Sequence, residues 1–269
     1  MCVLKIYFKK ENIIMKKNII IDAGPTNERI DAVMKITNMS TGALGSIIAD
    51  TILDRYDEQV ENIFYISTKL SYKPRIKSDK VKLLQVESTD DLINTLESLF
   101  ANYKIDAIVH SAAVGDYKGR YVIRAEDIVE EIVTSNFATL TPDEQREKLL
   151  NIFKSPSTIC NDETKISSYE PNLMVMLDLT PKVISRIKSL SPDTMLIGFK
   201  LLEGVSEQEL FDVATRLLNK NNADYIVANL LDRIGGGKHF GMVINKDGIV
   251  TKCETKPEIA QTIADLIFK

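Results

Sequence analysis

Asn18-Ile19-Ile20-Ile21-Asp22-Ala23-Gly24-Pro25 is a short apolar run that stops at a Gly-Pro pair. A run this brief, β-branched and closed by a turn signal, predicts a buried strand ending in a turn. The sequence beyond it repeats the theme. Residues 42–56 carry apolar side chains at 44, 47, 48, 52 and 53, which is helical spacing. Strands are expected at Ile63–Ser67 and Val81–Val86, then a helix from a Ser88 cap to about Phe100, then a strand at Ala107–Val109. After a charged stretch come a strand at Leu173–Leu177, a helix at Pro181–Leu190 with proline in its first turn, and a strand at Met195–Phe199. A Ser206-x-x-Glu209 capping box opens a helix ending near Lys220, followed by strands at Tyr225–Ala228 and Met242–Asn245 and a closing helix at Lys256–Phe268. Repeated strand–helix alternation predicts an α/β fold, a mostly parallel sheet with helices on both faces.

The alternation breaks between Asp116 and Tyr169, where charge and turn residues dominate and helices are expected at Ala125–Val133 and Pro142–Phe153. An insertion this long within one domain is usually functional or an interface arm. Residues 15–269 are therefore read as a single domain with residues 116–170 as a protruding arm. Residues 1–14 are read as an N-terminal extension, because Met15-Lys16-Lys17 is a second start directly ahead of the first strand.

Composition narrows the function. With 44% hydrophobic and 27% charged residues among 269, a sizeable core is available. A net charge of −4 argues against nucleic-acid binding, which needs a basic stripe. Phosphate ligands remain open, since a few lysines and backbone amides hold them. Cys2, Cys160 and Cys253 form no CxxC, and His110 and His239 are far apart, which argues against a zinc site. Free thiols suit a reducing cytoplasm. No apolar run approaches about 18 residues, so no membrane span is expected.

Three sets of residues can carry chemistry. The first follows the opening strand: Gly24-Pro25-Thr26-Asn27-Glu28, then Thr37-Asn38-Met39-Ser40-Thr41-Gly42-Ala43-Leu44-Gly45. Ser40, Thr41 and Gly42 fall at a helix start, where unpaired N–H groups and the helix dipole favour a phosphate, and Gly42 and Gly45 allow close approach. The second is His110-Ser111-Ala112-Ala113-Val114-Gly115-Asp116-Tyr117. Its small residues let a flat ligand lie on the backbone, and Asp116 can hold a ribose hydroxyl, a base amine or magnesium, or serve only as a turn residue. The third is Lys165, Gly198-Phe199, Arg216 with Lys220 one helical turn on, and Asn229. His110 and His239 read as structural, with no carboxylate at an obvious spacing. A dinucleotide site is disfavoured: GxGxxG is missing, and Tyr65-x-x-x-Lys69 sits on a strand rather than a helix.

In order and spacing these segments resemble the phosphopantothenate–cysteine ligase family. The resemblance rests on Gly24-Pro25-Thr26-x-Glu28, Ile30-Asp31-x-Val33, Ile36-Thr37-Asn38-x-Ser40-Thr41-Gly42-x-x-Gly45 and Ala112-Ala113-Val114-Gly115-Asp116-Tyr117. It continues through Lys165-Ile166-Ser167-Ser168, Leu179-Thr180-Pro181-Lys182, Ile197-Gly198-Phe199 and Asp224-Tyr225-Ile226-Val227-Ala228-Asn229. It implies a Rossmann-like sheet and a homodimer whose 116–170 arms cover the partner's site. It implies that Asn38 and Lys165 are catalytic, and that Ser40, Thr41, Gly42 and Gly45 bind the substrate phosphate. Nucleotide contacts carry over to Ser111, Ala112, Asp116, Pro181, Phe199, Arg216 and Lys220, Arg216 with a one-residue shift. Magnesium with CTP, or with ATP, is the implied co-substrate.

Three departures stand out. Met34 occupies the place of a common family arginine, Lys165-Ile-Ser-Ser replaces a lysine-rich KxKK, and no fused decarboxylase domain precedes the ligase region. The decarboxylase step is therefore expected on a separate chain. The expected reaction forms an acyl-nucleotide from 4′-phosphopantothenate and transfers the acyl group to cysteine. The alternatives are a nucleotide-dependent oxidoreductase and a catalytically silent nucleotide-binding module.

Overall fold

A computed structural model describes residues 15–160 and 165–269 of the chain; the extension expected at residues 1–14 lies outside the described residues. Along the chain come β1 (Lys17–Ala23), a small hairpin of β2 (Asn27–Arg29) and β3 (Lys35–Thr37), α1 (Ala43–Tyr56), β4 (Val60–Ser67), β5 (Val81–Gln85), α2 (Thr89–Asn102) and β6 (Ala107–His110). The arm contributes β7 (Tyr117–Arg124), α3 (Ala125–Thr134), α4 (Pro142–Lys154) and β8 (Leu173–Leu179). The chain then returns with α5 (Val183–Leu190), β9 (Met195–Leu202), α6 (Glu207–Asn221), β10 (Tyr225–Gly235), β11 (Lys238–Asn245), β12 (Gly248–Cys253) and α7 (Lys256–Phe268).

Eight strands form one sheet in the order β12-β11-β10-β9-β6-β1-β4-β5. It is parallel from β10 to β5, and β11 and β12 extend it antiparallel. The opening run becomes β1 near its centre, with Ile19 to Ala23 all buried because both faces are covered. On one face Ile48 and Ile52 of α1 pack with Ile259 and Ile263 of α7. On the other, Leu92 and Leu96 of α2, Ile187 of α5 and Leu210 and Leu218 of α6 form a second apolar layer. The result is a three-layer, Rossmann-like α/β fold. From β1 the chain moves outward to β4 and β5, then returns to β6 on the other side of β1. The crevice between β1 and β6 is thus the switch point where ligands bind in such sheets.

Several expectations need correction. Leu173–Leu179 does not join the main sheet but pairs antiparallel with Tyr117–Arg124, a strand the sequence reading missed. The reason shows in β8's exposure: no residue of it is fully buried, whereas a central parallel strand is covered on both faces. Helix α5 starts at Val183 rather than Pro181. Thr180 donates its N–H to Asp116 O at 3.0 Å and its hydroxyl to Gly115 O, which holds the chain extended through that point. Ser206 makes half a capping box: its Oγ accepts from Glu209 N at 3.1 Å, without the reciprocal bond. The arm packs Tyr121, Ile123, Ile128 and Ile152 into a small core of its own.

Candidate active site

The β1–β6 crevice is closed at its base by Asp22, the penultimate residue of β1. Its side chain is fully buried and lies beside His110 on the neighbouring strand, Oδ2 to Nδ1 at 2.5 Å. The other carboxyl oxygen accepts from Ala112 N at 2.9 Å, and the Asp22 carbonyl accepts from Ser111 Oγ at 2.6 Å. One buried acid therefore fixes the start of the Ser111-Ala112-Ala113 turn. The partner missing for His110 in the sequence was Asp22, 88 residues earlier. The turn is stitched onward by Ala113 N to Gly24 O at 2.8 Å and Thr26 N to Ala113 O at 3.3 Å.

Gly24 and Gly42 meet on the other side. Both adopt left-handed backbone, with φ of 86° and 76°, and a Cβ on Gly42 would sit 3.1 Å from Gly24 N. Only glycine suits either position. Gly45 brings α1 against β1 and the Ser111 turn: a Cβ there would lie 2.5 Å from Ala23 Cβ and 3.0 Å from Ser111 Oγ. Ser40 and Thr41 precede Gly42, the α1 N-cap residue. The N-cap Gly42 has no side chain to cap the helix and no acid lies in its first turn, so no charged side chain of that turn offsets its positive end. The Gly42 and Ala43 amides donate long hydrogen bonds to Ser40 Oγ and Thr41 Oγ1, each at 3.4 Å.

Asn38 joins the two loops. Its exposed side-chain amide donates to Ala113 O at 3.0 Å and Val114 O at 3.2 Å. Both bonds are made by its Nδ2 group.

The β2–β3 hairpin ties the arm to the same edge. Asp31 Oδ1 accepts from the amides of Val33 and Met34, both at 2.6 Å, and Oδ2 from Ile166 N at 2.9 Å. The Met34, Ile166 and Val33 amides hold its carboxyl below the usual carboxylate range, against the opposing effect of burial, and Lys165 adds to the depression. Lys165 is exposed and its segment is anchored to the hairpin of its own chain. Met34 serves the turn through its backbone, its carbonyl accepting from Ile30 N at 2.9 Å, while its side chain is exposed.

Asp116, at the far end of the Ser111 turn, pairs with Lys182 at 2.5 Å, both side chains exposed. Pro181 therefore sits next to the Asp116 partner. Phe199 lies within β9, beside Val227 of β10. Arg216 and Lys220 are not brought to this edge. Helix α6 starts near the carboxyl edge and ends where Asp224 N meets Leu196 O at the start of β9, at 3.0 Å. At 1.5 Å per residue they lie about 15 Å and about 21 Å down the helix from Ser206.

Other residues of this edge had no role assigned from sequence. Glu28 is buried and accepts from Thr89 N at 2.8 Å and Thr89 Oγ1 at 2.6 Å, placing an acid at the start of α2. Thr26 Oγ1 accepts from Gly115 N at 2.8 Å. The signal for both was their place directly after the first Gly-Pro turn. The Tyr65-x-x-x-Lys69 pattern is not a reductase pair: Tyr65 is fully buried, donates to Tyr72 O at 2.8 Å, and burial raises its pKa. Among the described residues no group of three or more His, Cys, Asp or Glu can hold a metal. A single exposed carboxylate such as Asp116 suits magnesium that arrives on a nucleotide, which takes one or two carboxylates and fills its shell with phosphates and water. No described helix is long and apolar enough to cross a membrane.

Residues 14–128 and 157–269 match the family described as the DNA/pantothenate metabolism flavoprotein C-terminal domain. The bifunctional coenzyme A biosynthesis protein CoaBC of Thermococcus kodakarensis is 29% identical over 255 residues, covering 94% of this chain and 51% of that protein. The chain spans about half the length of the first curated relatives it matches, 51% and 50% for the CoaBC proteins of Thermococcus kodakarensis and Methanocaldococcus jannaschii. The solved DNA/pantothenate metabolism flavoprotein of Streptococcus pneumoniae is 34% identical, with a TM-score of 0.75 over 94% of this chain and 98% of that one. A Cab2 mutant in complex with phosphopantothenate-cysteine shares the fold at 17% identity, with a TM-score of 0.62 over 93% of this chain and 85% of that one.

Proposed function

We infer the activity from the family: the chain belongs to the DNA/pantothenate metabolism flavoprotein C-terminal domain family, the one its motifs resemble. We propose that it is a phosphopantothenate–cysteine ligase. The observation that carries this reading is the meeting of the Gly24–Gly42 turn, the Asn38 loop and the Ser111–Asp116 turn in the β1–β6 crevice. The Cab2 neighbour, of the same fold, binds the ligase product.

The carboxylate of 4′-phosphopantothenate attacks the α-phosphorus of a nucleoside triphosphate. An acyl-nucleotide forms as pyrophosphate leaves. The cysteine amine then attacks the acyl carbon, the nucleoside monophosphate leaves, and the amine proton is lost to solvent. The α1 start with Ser40, Thr41, Gly42 and Gly45 holds the substrate phosphate. Ser111, Ala112, Asp116, Pro181 and Phe199 surround the nucleotide, and Lys165 offsets polyphosphate charge. Asp116 would hold magnesium that arrives with the nucleotide, and the ion would supply neutralisation of phosphate charge. Arg216 and Lys220 are the part of the nucleotide set that this geometry leaves apart. No covalent enzyme nucleophile is required, so catalysis rests on positioning and charge.

The nucleotide is CTP in this reading, with ATP as the alternative. The amides of the half-buried Ser111-Ala112-Ala113 turn are engaged by Asp22 and Gly24, so this fixed turn meets a base edge through carbonyl acceptors, and a hydrogen-bonding site rejects an ill-matched partner strongly. Turnover to phosphopantothenoylcysteine is compared with CTP, ATP, GTP and UTP. One strongly favoured nucleotide supports base reading, and equal rates with all four contradict it.

We further propose a homodimer working in the cytoplasm. Val175, Leu177 and Leu179 alternate along one face of β8 at 40%, 39% and 69% exposure, an apolar strip that suits a second copy. The decarboxylase activity that makes the thiol amine from the product would come from another polypeptide region or chain.

A further inference from the structure

The pairing of β1 with β6 sets Asp22 opposite His110. Side chains alternate along a strand, so both fall on the sheet face that carries Ile20 and Ile108, toward α2 and α5. On its other flank His110 is the register partner of Gly198 in β9. The ring is 8% exposed at the very end of β6, and Ser111 and Ala112 follow it directly. Ala112 and Val114 of the turn pack on the same apolar layer. His110 thus stands among Ser111, Ala112 and the Gly198-Phe199 pair, where the proposed site holds its nucleotide.

The backbone decides the hydrogen-bond polarity of this pair. Ala112 N can only donate, and it donates to Asp22 Oδ1 at 2.9 Å. The carboxylate is thereby held with Oδ2 toward His110 Nδ1 at 2.5 Å. A carboxylate accepts, so Nδ1 carries the hydrogen. In the neutral ring Nε2 is then a bare lone pair, an acceptor with a fixed direction. Nε2 makes no hydrogen bond among the described residues, and it is not sealed from the surface. The two steps of the ligase reaction leave it unused.

We propose that His110 is a specificity-determining residue for the nucleotide: its Nε2 accepts a hydrogen bond from the exocyclic amine of the base. Cytosine and adenine carry such an amine, whereas uracil and hypoxanthine present a carbonyl oxygen in its place. An oxygen set against this lone pair is repelled and leaves both groups unpaired, which a hydrogen-bonding site penalises strongly. The carbonyls of the Ser111 turn are acceptors too, so turn and ring select the same donor. Asp22 is the positioning residue: fully buried, it acts through His110 by fixing which ring nitrogen bears the hydrogen. The proposal rests on the ligase reading for the presence of a nucleotide at this turn.

The test is calorimetric titration with CTP against UTP and with ATP against ITP, which needs no turnover. Each pair exchanges an amine for an oxygen on the base. Asp22→Asn is the decisive variant. Its amide oxygen takes the Ala112 N–H, its NH2 donates to Nδ1, and the ring hydrogen moves to Nε2, so the acceptor becomes a donor. The native chain should favour the amine member of the pair it binds, and which pair that is identifies the base. Asp22→Asn should lower that preference by about 10- to 100-fold, the size of one buried hydrogen bond mismatched. His110→Phe, a ring without nitrogen, should bring the ratio toward one, and it decides alone if Asp22→Asn does not fold. A native chain without preference, an unchanged ratio in the variants, or equal weakening of amine and oxygen nucleotides, the mark of a mere brace, overturns the proposal. If the native chain prefers CTP to UTP but forms no phosphopantothenoylcysteine, the ligase reading fails while the role of His110 is still tested.

Discussion

Asn38 donates its side-chain amide to the carbonyl of Ala113 at 3.0 Å, across 75 residues of sequence. That bond and its neighbour to Val114 lock the loop before α1 onto the turn after β6, the two halves of the proposed site. We propose that on substrate binding this amide leaves one of those carbonyls for the acyl oxygen, where negative charge builds as cysteine attacks. A donor held at that oxygen is worth about 10²–10³ in rate. Asn38→Asp should slow transfer to cysteine more than acyl-nucleotide formation, so that the intermediate accumulates in rapid-quench experiments. Equal slowing of both steps would instead show that Asn38 only braces the loops.

Asp22 underlies the same turn. Asp22→Ala leaves His110 Nδ1 and Ala112 N without their buried acceptor. Hydrogen bonds to a charged group contribute about 1.5–3 kcal/mol each, so the loss should be about 3 kcal/mol or more in urea denaturation. Asp22→Asn keeps the shape and one acceptor and should recover part of it. A loss below about 1 kcal/mol for the alanine variant would mean that water replaces the carboxylate easily.

His239 gives the fold an acid-sensitive element. It is 9% exposed, its Nδ1 has no partner, and burial, with a smaller effect of Lys256, lowers its pKa from 6.5 to about 4. The folded state thus favours neutral imidazole. The associated stability is complete above pH 6.5 and is lost as the pH falls toward 4, by at most about 3 kcal/mol. Denaturation midpoints measured across this range should fall more steeply for the native chain than for His239→Gln. Parallel curves would remove His239 from the account.

The exposed apolar face of β8 bears on assembly. Leu177→Asp places a charge in the middle of that face and should convert a dimer to a monomer by light scattering, with activity falling if the arms complete each other's sites. A native chain that is monomeric at assay concentration would end the dimer proposal.

The central sheet was legible because β1 and its neighbours are covered on both faces, and such strands read as unbroken apolar runs. Helix α7 was legible to the residue because Thr255 caps it and its apolar spacing is regular. The β2–β3 hairpin and β7 were not, because each is short or exposed and takes its shape from partners distant in sequence. The site loops were visible as motifs, but their joints were not. Asp22 looks like one more residue in an apolar strand, and Asp31 like a turn acid, until His110 and Ile166 arrive beside them.

Pyrophosphate release tests the central claim most directly. The chain is incubated with nucleotide alone, with phosphopantothenate alone, and with both, before and after addition of cysteine. Ligase chemistry predicts pyrophosphate only when both are present, and multiple turnovers with release of nucleoside monophosphate once cysteine is added. Pyrophosphate release independent of phosphopantothenate, or nucleotide binding with no pyrophosphate under any of these conditions, would contradict it.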